Sequence, residues 1–557
     1  MQINKITGRS AFLSLLKEEG VTHLFGNPGT TELPIMHALK DHPDLTYVLG
    51  LQESLVVAMA DGFSRASGRL TACNVHVAPG LGNAMGSIYN AKFTHTPMII
   101  TAGQQEQGHG LTEPLLYDSL VPMAAPLVKW AVEITRLEDM PRIVHRAAKI
   151  AMTPPTGPVF ISLPGDILNS EVGMELGHRT RVDTASRPSD AALDRLAARL
   201  LAARNPAIIS GNEVVSSDAL AEVAQFAETL GAATYQQSIP YGSHFLSEHP
   251  AYMGALTRIQ KQVRGELEPY DLLVVIGSDP LRMSVYSEID PLPADLPIVQ
   301  IGLHDWEMGK NYPTEMAVRS DVGETLKALI PVLKSRGGDA LAETARQRLA
   351  GLEGRNWLAR RAVRREATGK LSATTPIAPD YLMMQIVDSL PANAMVVNES
   401  LTSGFGLQDF LPYGDRYSFH GNASGGIGWA VPAAVGIQLA QPDRPLVAII
   451  GDGSAMYSIQ ALWTAAKMKL PITFVITNNG GYRIIKQRLL AFHGNDHFIG
   501  MDFDDPSIDF VGLAQSMGVP AQRVTSPDKI RPALDGAIAN SGPVLLDIAV
   551  DGSVGGH

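Results

Sequence analysis

The chain has 557 residues, 18% of them charged and 45% hydrophobic, with a net charge of −11. That length predicts three or four domains, and the composition excludes a largely disordered chain. Net negative charge without a basic stripe of interleaved aromatics excludes a nucleic-acid-binding surface, and no run of ~18 apolar residues exists to span a membrane as a helix.

In chain order, Ser10 to Glu19 reads as an amphipathic helix and Thr22 to Phe25 as a short strand. The turn Gly26-Asn27-Pro28-Gly29 follows, then a helix from near Thr31. Strands are predicted at Tyr47 to Gly50, Leu70 to Val75, Met98 to Thr101 and Pro158 to Ser162, alternating with helices. Such alternation builds a mostly parallel sheet with helices on both faces. The polar stretch 173–189 reads as a linker. A second unit carries strands at Ala207 to Ser210, Leu272 to Gly277 and Ile298 to Gly302. Residues 335–370, dense in Arg and Glu, read as a solvated helical connector rather than an anion site. The rhythm then resumes to residue 551. The expected fold is α/β, with three doubly wound, mostly parallel-sheet domains at 1–175, 190–335 and 376–557. The single cysteine, Cys73, excludes an intrachain disulfide, and Met1 to Ser10 lacks the apolar core of a secretory signal. A cytoplasmic location is expected.

The third unit holds the most informative motif. Gly451-Asp452-Gly453 follows the apolar strand Leu446 to Ile450, and Asn478-Asn479 comes after 24 intervening residues. Ser458 to Lys469 reads as a helix and Pro471 to Thr477 as the next strand. Asp452 and Asn479 therefore each sit at the carboxyl end of a strand, where open α/β sheets bind ligands. A carboxylate, an amide oxygen and nearby carbonyls suit Mg²⁺ or Ca²⁺, with substrate phosphates completing the shell. The flanking glycines let backbone approach a diphosphate. In the first unit, Glu53 opens a helix from Ser54 to Ala66, directly after a strand. A Glu there complements the helix dipole and needs no other cause on position alone.

The GDG-x24-NN spacing resembles the diphosphate–metal signature of thiamine diphosphate (ThDP) enzymes. The resemblance implies that Asp452, Asn479 and the carbonyl of Gly481 hold the metal. It also implies that Glu53 hydrogen-bonds the cofactor's pyrimidine ring and drives the tautomer that activates it. The segments Phe25 to Pro34, Leu51 to Glu53, Asn74 to Gly86 and Thr101 to Gln105 look like those of the benzoylformate decarboxylase family. So do Leu127 to Trp130, Asn398 to Ser400, Gly425 to Gly428 and Gly451 to Ser458. The resemblance runs over essentially the whole chain. It implies a pyrimidine-binding domain, a central domain that often lacks its own cofactor, and a diphosphate-binding domain. ThDP would lie between subunits, so a homodimer is the minimal active unit and a homotetramer the usual one. The substrate-carboxylate hydroxyl falls on Thr30, a catalytic histidine on His76, and the residue that bends the cofactor on Ile427. The carbonyl that accepts the cofactor's amino group falls on Gly425. Thr402, Gly453, Ser454 and Tyr482 complete the diphosphate side, and Leu116 and Leu401 the substrate pocket.

The pattern breaks at four positions. The family's second active-site histidine falls on Ser284, and a hydroxyl is a poor acid or base near neutral pH. Gly421 and Ile484 stand where the family has Phe and Ala. Arg488, four residues after Ile484 and on the same helix face, stands near another aromatic wall. Pointing inward, Arg488 favours a substrate with a second anionic group; otherwise it meets solvent or one of Asp502, Asp504 and Asp505. His109, His420 and His493 are the spare histidines that could replace the missing relay. Two activities are therefore expected. The first is ThDP-dependent decarboxylation of a benzoylformate-like or other bulky 2-oxo acid to an aldehyde and CO₂. The alternative is a carboligase or C–C lyase, acetolactate-synthase-like or 2-hydroxyacyl-CoA-lyase-like; the former would bring FAD into the central unit, which shows no clear dinucleotide fingerprint.

Overall fold

The computed structural model describes residues 5–554. Three six-stranded sheets form the frame, and within each every pairing is parallel. This is stricter than the mostly parallel sheets expected. Among the described strands an antiparallel pair forms a two-stranded ribbon, Lys5–Thr7 with Glu171–Gly173, which ties the start of the linker back to the first domain.

The first sheet runs Thr46–Leu49, His23–Gly26, Thr71–Val75, Met98–Gln104, Pro158–Pro164, Ala131–Glu133. The third runs Phe419–Gly421, Met395–Glu399, Leu446–Gly451, Ile472–Asn478, Val544–Ala549, Ala521–Val524. Numbered within each domain, both follow the order 2-1-3-4-6-5. The central sheet instead runs 3-2-1-4-5-6, from Tyr252–Ala255 at one edge to Met316–Arg319 at the other. In each, chain direction across the sheet reverses beside the first strand, and a crevice opens at the carboxyl ends there. That switch point places Asn27 to Thr30 beside His76 in the first domain. In the third it places Ser400 to Thr402 beside Asp452.

The strand cores are continuous apolar runs, as sheets covered on both faces require. Val447, Ala448, Ile449 and Ile450 are all fully buried. The first and third domains meet through one helix from each, Glu53–Ser67 and Ala430–Ala440. A Cβ on Gly62 would collide with the carbonyl of Ala433, and one on Gly436 with the carbonyl of Met59. Only glycine permits so close a crossing of two backbones. The packed pair shares one apolar cluster that includes Val56, Met59, Phe63, Val431 and Val435.

Two local expectations need correction. The helix expected over 458–469 is shorter, Ala461–Lys467. A separate single turn, Asp452–Ala455, begins directly at the strand end, because Asp452 accepts the N–H of Gly453 and of the neighbouring loop. The connector is helical, but it is more than a solvated surface. Helix Val322–Ala350 is broken at Gly338, and helix Trp357–Gly369 buries Trp357, whose Nε1 donates to the carbonyl of Gln408 at 2.8 Å. Arg365 pairs with Asp388 at 2.7 Å, fastening the connector to the third domain. Cys73 is buried and free.

Candidate active site

The first-domain crevice is built around a buried carboxylate that the sequence reading did not single out. Glu32 has no exposed surface. Its Oε2 receives Nδ1–H of His76 at 2.7 Å and the N–H of Gly29 at 2.9 Å. Its Oε1 receives the Thr31 hydroxyl at 2.8 Å and the N–H of Gly103 at 2.9 Å. With Nδ1 donating to a carboxylate, neutral His76 is fixed as the tautomer whose Nε2 accepts. His76 caps the helix Val77–Phe93 and keeps 22% of its side chain exposed. Its ring lies so close to Gly29 that a Cβ there would strike it. Thr30 is exposed on the same turn.

Glu53 is buried at the first position of its helix, where Gln52 caps the N–H of Ser54. Its Oε2 accepts Nδ2–H of Asn83 at 3.0 Å. A Cβ on Gly80 would come within 2.9 Å of its Oε1. One helix, Val77–Phe93, thus carries His76 at its cap and both neighbours of Glu53. Thr30, Glu53 and His76 are brought together at the ends of three adjacent strands.

In the third domain, Asp452 is the hub. Its Oδ2 accepts the N–H groups of Asn479, Gly480 and Gly481 at 3.0, 2.7 and 3.2 Å, and its Oδ1 that of Gly453 at 2.8 Å. Burial pushes the Asp452 carboxyl upward and these four donors pull it back. The Oδ1 of Asn479 is buried without a hydrogen-bond partner. An amide oxygen left bare beside a carboxylate and a main-chain carbonyl is the donor set a hard divalent cation accepts. The residues present therefore fit Mg²⁺. Among the described residues no group of three His, Cys, Asp or Glu side chains forms another metal site. A Cβ on Gly453 would come within 2.6 Å of the Tyr482 ring, and Ser454 is buried next to it.

Glu399, also absent from the expected site, organises the facing turn. Oε1 accepts Asn422 Nδ2–H at 2.8 Å and Oε2 the N–H of Ala430 at 2.8 Å, while burial raises the carboxyl to about 7. Asn422 and Asn90 both donate to the carbonyl of Gly426, at 2.6 and 3.0 Å. The turn displays Gly425, exposed at φ 82°, and half-buried Ile427. Val77, Leu116 and Leu401 hold φ of 41°, 69° and 41° without being glycine. Left-handed backbone at bulky residues costs on the order of 1–3 kcal/mol each. Thr402 is half-buried in the turn that follows Leu401.

The remaining expected pocket residues differ in exposure. Ser284 is exposed. Gly421 is buried in a strand, where a Cβ would come within 3.2 Å of the Tyr241 Cα. Ile484 is half-buried and Arg488 exposed on the helix Arg483–His493. Asp502 is engaged by Lys486, and the Arg488 guanidinium lies 5.7 Å from the Phe492 ring centre. Of the spare histidines, His420 is buried with Nε2 unpartnered, and burial, reinforced by Arg65, lowers it to about 3. It borders a separate cavity of about 690 Å³ at the carboxyl ends of the central strands, lined also by Lys129, Glu213 and His304. A histidine held neutral there shuttles no proton near neutral pH. His109 and His493 are exposed.

No hydrogen bond or ion pair joins Thr30, Glu53 or His76 to Asp452, Asn479 or Gly481 among the described residues. The link between the domains here is instead Asn90, on the helix Val77–Phe93, which donates to the Gly426 carbonyl.

Both halves lie in regions that resemble known proteins. The thiamine pyrophosphate enzyme models match as the N-terminal binding domain over residues 6–115, the central domain over 193–329 and the C-terminal binding domain over 404–548. The chain belongs to the thiamine pyrophosphate enzyme family. It is 33% identical to benzoylformate decarboxylase of Pseudomonas aeruginosa, over 97% of this chain and 98% of that one. A putative acetolactate synthase large subunit of Mycobacterium tuberculosis is 29% identical over 99% of this chain and all of that one. Among solved structures, the ThDP-dependent 4-hydroxybenzoylformate decarboxylase of Rhodococcus jostii RHA1 superposes with a TM-score of 0.87 at 31% identity, covering 99% of this chain and 100% of that one. Benzoylformate decarboxylase from Polynucleobacter necessarius gives 0.87 at 29% identity, with the same coverage. Among the described residues no helix is long and apolar enough to cross a membrane.

Proposed function

We propose that this chain is a ThDP- and Mg²⁺-dependent carboxy-lyase that converts a bulky, benzoylformate-like 2-oxo acid to an aldehyde and CO₂. The observation that carries the reading is a chain holding both a buried Glu53 beside a carboxylate-locked His76 and a bare Asn479 oxygen beside Asp452. Domain limits at 1–175, 190–335 and 376–557 go with it, as does a cytoplasmic location.

Bound ThDP supplies the carbon nucleophile and the electron sink for decarboxylation. Asp452, Asn479 and the Gly481 carbonyl would hold Mg²⁺, with Ser454 and Thr402 serving the diphosphate. Gly425 and Ile427 would hold the rest of the cofactor, and Glu53 would serve its pyrimidine ring as the proton-sharing carboxyl. The Thr30 hydroxyl and Nε2 of His76 orient the substrate carboxylate and carbonyl, and the Glu32 bond keeps that nitrogen aimed. That Thr30, Glu53 and His76 share no hydrogen bond or ion pair with Asp452, Asn479 or Gly481 among the described residues supports a homodimer in which Glu53 of one copy completes the site of the other. A homotetramer is the usual form in the family.

One observation favours a second reading. Ser284 cannot relay a proton as an imidazole does, and His420 is buried elsewhere. A slow proton supply there would favour transfer to an acceptor aldehyde over release of a free aldehyde, making the enzyme a carboligase. An acetolactate-synthase-like version with FAD would show flavin absorbance. The test is CO₂ release against product identity with ThDP and Mg²⁺, using benzoylformate and pyruvate with and without an acceptor aldehyde. Rapid CO₂ release with benzaldehyde formation from benzoylformate alone supports the decarboxylase. Turnover only with an acceptor, giving a 2-hydroxy ketone, sinks it in favour of ligation.

A further inference from the structure

One helix of the first domain touches both Glu53 and the glycine turn of the third domain. Val77–Phe93 has His76 at its cap, Asn83 about two turns inside and Asn90 about two turns further. A spacing of seven residues puts Asn83 and Asn90 on one side of the helix, about 10 Å apart along its axis. Asn83 donates to Glu53 at 3.0 Å. Asn90, only 5% exposed, reaches out of its own domain. Its Nδ2–H donates to the Gly426 carbonyl at 3.0 Å, and its Oδ1 accepts the Ser424 hydroxyl. A Cβ on Gly426 would come within 2.8 Å of that Oδ1, so the amide seats directly on main chain.

The turn that Asn90 grips is otherwise wound about a single side chain. Asn422 Oδ1 accepts the N–H groups of Ser424 and Gly425 at 3.2 and 3.3 Å, and its Nδ2 donates to Gly426 and Glu399. Those bonds give the turn its shape, but all of them lie within the third domain. Among the described residues no other first-domain side chain hydrogen-bonds residues 422–427. Gly425, at φ 82°, lies between the two residues that Asn90 holds. Adjacent glycines leave such a backbone free to move unless something outside it takes hold.

We propose that Asn90 is a positioning residue for the cofactor, fixing the turn from Ser424 to Ile427 against the first domain so that Gly425 and Ile427 are presented to ThDP in one place. This rests on the cofactor placement proposed above and deepens it. Asn90 touches neither cofactor nor substrate and acts through Gly426. The substrate carboxylate is held elsewhere, by Thr30 and His76. Loss of the grip should therefore slow turnover and weaken ThDP while leaving the affinity for the 2-oxo acid nearly intact, because misplacement of a reacting group costs rate.

The experiment compares the wild type with Asn90→Asp and Asn90→Ala. Aspartate keeps the shape, yet as a carboxylate it accepts from Ser424 and cannot donate to Gly426. Calorimetric titration with ThDP at fixed Mg²⁺ should show affinity about tenfold weaker in both, the size of one lost hydrogen bond. With benzoylformate, kcat should fall about 10–100-fold while KM stays within about twofold. The apo melting temperature should stay close to that of the wild type, since Gly426 keeps its Asn422 donor. Ser424→Ala removes the second bond of the grip and should move ThDP affinity and kcat the same way by a smaller factor, which keeps the test open if Asn90→Ala folds poorly. Unchanged ThDP affinity and kcat in Asn90→Asp overturn the proposal, as does a raised KM with kcat intact. So does a lower apo melting temperature with ThDP affinity unchanged, which would make Asn90 a purely structural contact. If the wild type binds ThDP but yields no CO₂, the decarboxylase reading has failed, and the titration alone decides the role of Asn90. Weaker ThDP binding in Asn90→Asp then sustains it; equal binding overturns it.

Discussion

Glu32 and His76 are joined by a 2.7 Å hydrogen bond in which the carboxylate is wholly buried and the imidazole is not. The histidine is therefore aimed from behind by a group the substrate never reaches. Glu32→Gln preserves the shape, but its amide can donate to Nδ1 and favour the wrong tautomer. We expect kcat/KM to fall about 10–100-fold, as is typical when an outer partner of a working histidine is lost. ThDP affinity should be unchanged. Glu32→Ala should in addition lower the thermal midpoint, since the N–H groups of Gly29 and Gly103 lose their acceptor at about 1–3 kcal/mol each. Steady-state kinetics and a melting curve on both variants separate the two effects.

Glu53→Gln removes the ionisable proton while keeping a hydrogen-bonding side chain next to Asn83. The expected loss in kcat is about 10²–10⁴-fold, the usual span for a positioned acid–base group, with cofactor still bound. Near-normal turnover in this variant would show that Glu53 is only a helix-capping carboxylate.

Removal of Mg²⁺ by a chelator should release ThDP and lower the melting temperature, both restored by adding the metal back. Asn479→Ala should weaken metal-dependent ThDP binding while leaving the apo protein's melting temperature nearly unchanged, because Oδ1 of Asn479 has no partner to lose. Calorimetric titration with ThDP, at fixed Mg²⁺, measures it.

Glu399 gives a pH dependence with a definite sign. Burial raises its carboxyl to about 7 in the folded chain, above its value in the unfolded chain. The folded state therefore binds the proton more tightly. The stability this contributes is fully present below the unfolded carboxyl pKa of about 4.3 and is lost as pH rises through about 7. Glu399→Gln should flatten that part of the stability–pH curve, measured by denaturant unfolding at several pH values. An unchanged slope would mean that other groups set it.

Much of this was legible in the sequence. Continuous apolar runs such as Leu446 to Ile450 mark buried parallel strands, and Asp452 with Asn479 marks the end of two of them. Strand order was not legible, since nothing local in His23–Gly26 or Pro206–Ser210 says which neighbour it takes. Glu32 and Glu399 were missed for a related reason. Each is a single acidic residue whose acceptors are filled by groups distant in the chain, Gly103 for one and Ala430 for the other. A faint signal existed in both: Gly29-x-x-Glu32 has the spacing of a helix-start capping box, and Glu399 ends an apolar strand without a charged neighbour.

The helix pair that meets at Gly62 and Gly436 yields a stability prediction. Gly436→Ala puts a methyl group into the Met59 carbonyl, so the two helices must separate. Overpacking of this kind costs about 1–3 kcal/mol or more. The thermal midpoint should drop, and ThDP should recover only part of the loss.

That crossing also bears on how such a chain diversifies. Its tolerance is set by main-chain geometry, so drift at Gly62 or Gly436 is closed off whatever the enzyme acts on. Ser284, Ile484 and Arg488 lie outside it, each exposed or half-buried. Selection can rewrite what enters the pocket while the joint that fixes the two cofactor-binding halves is inherited intact.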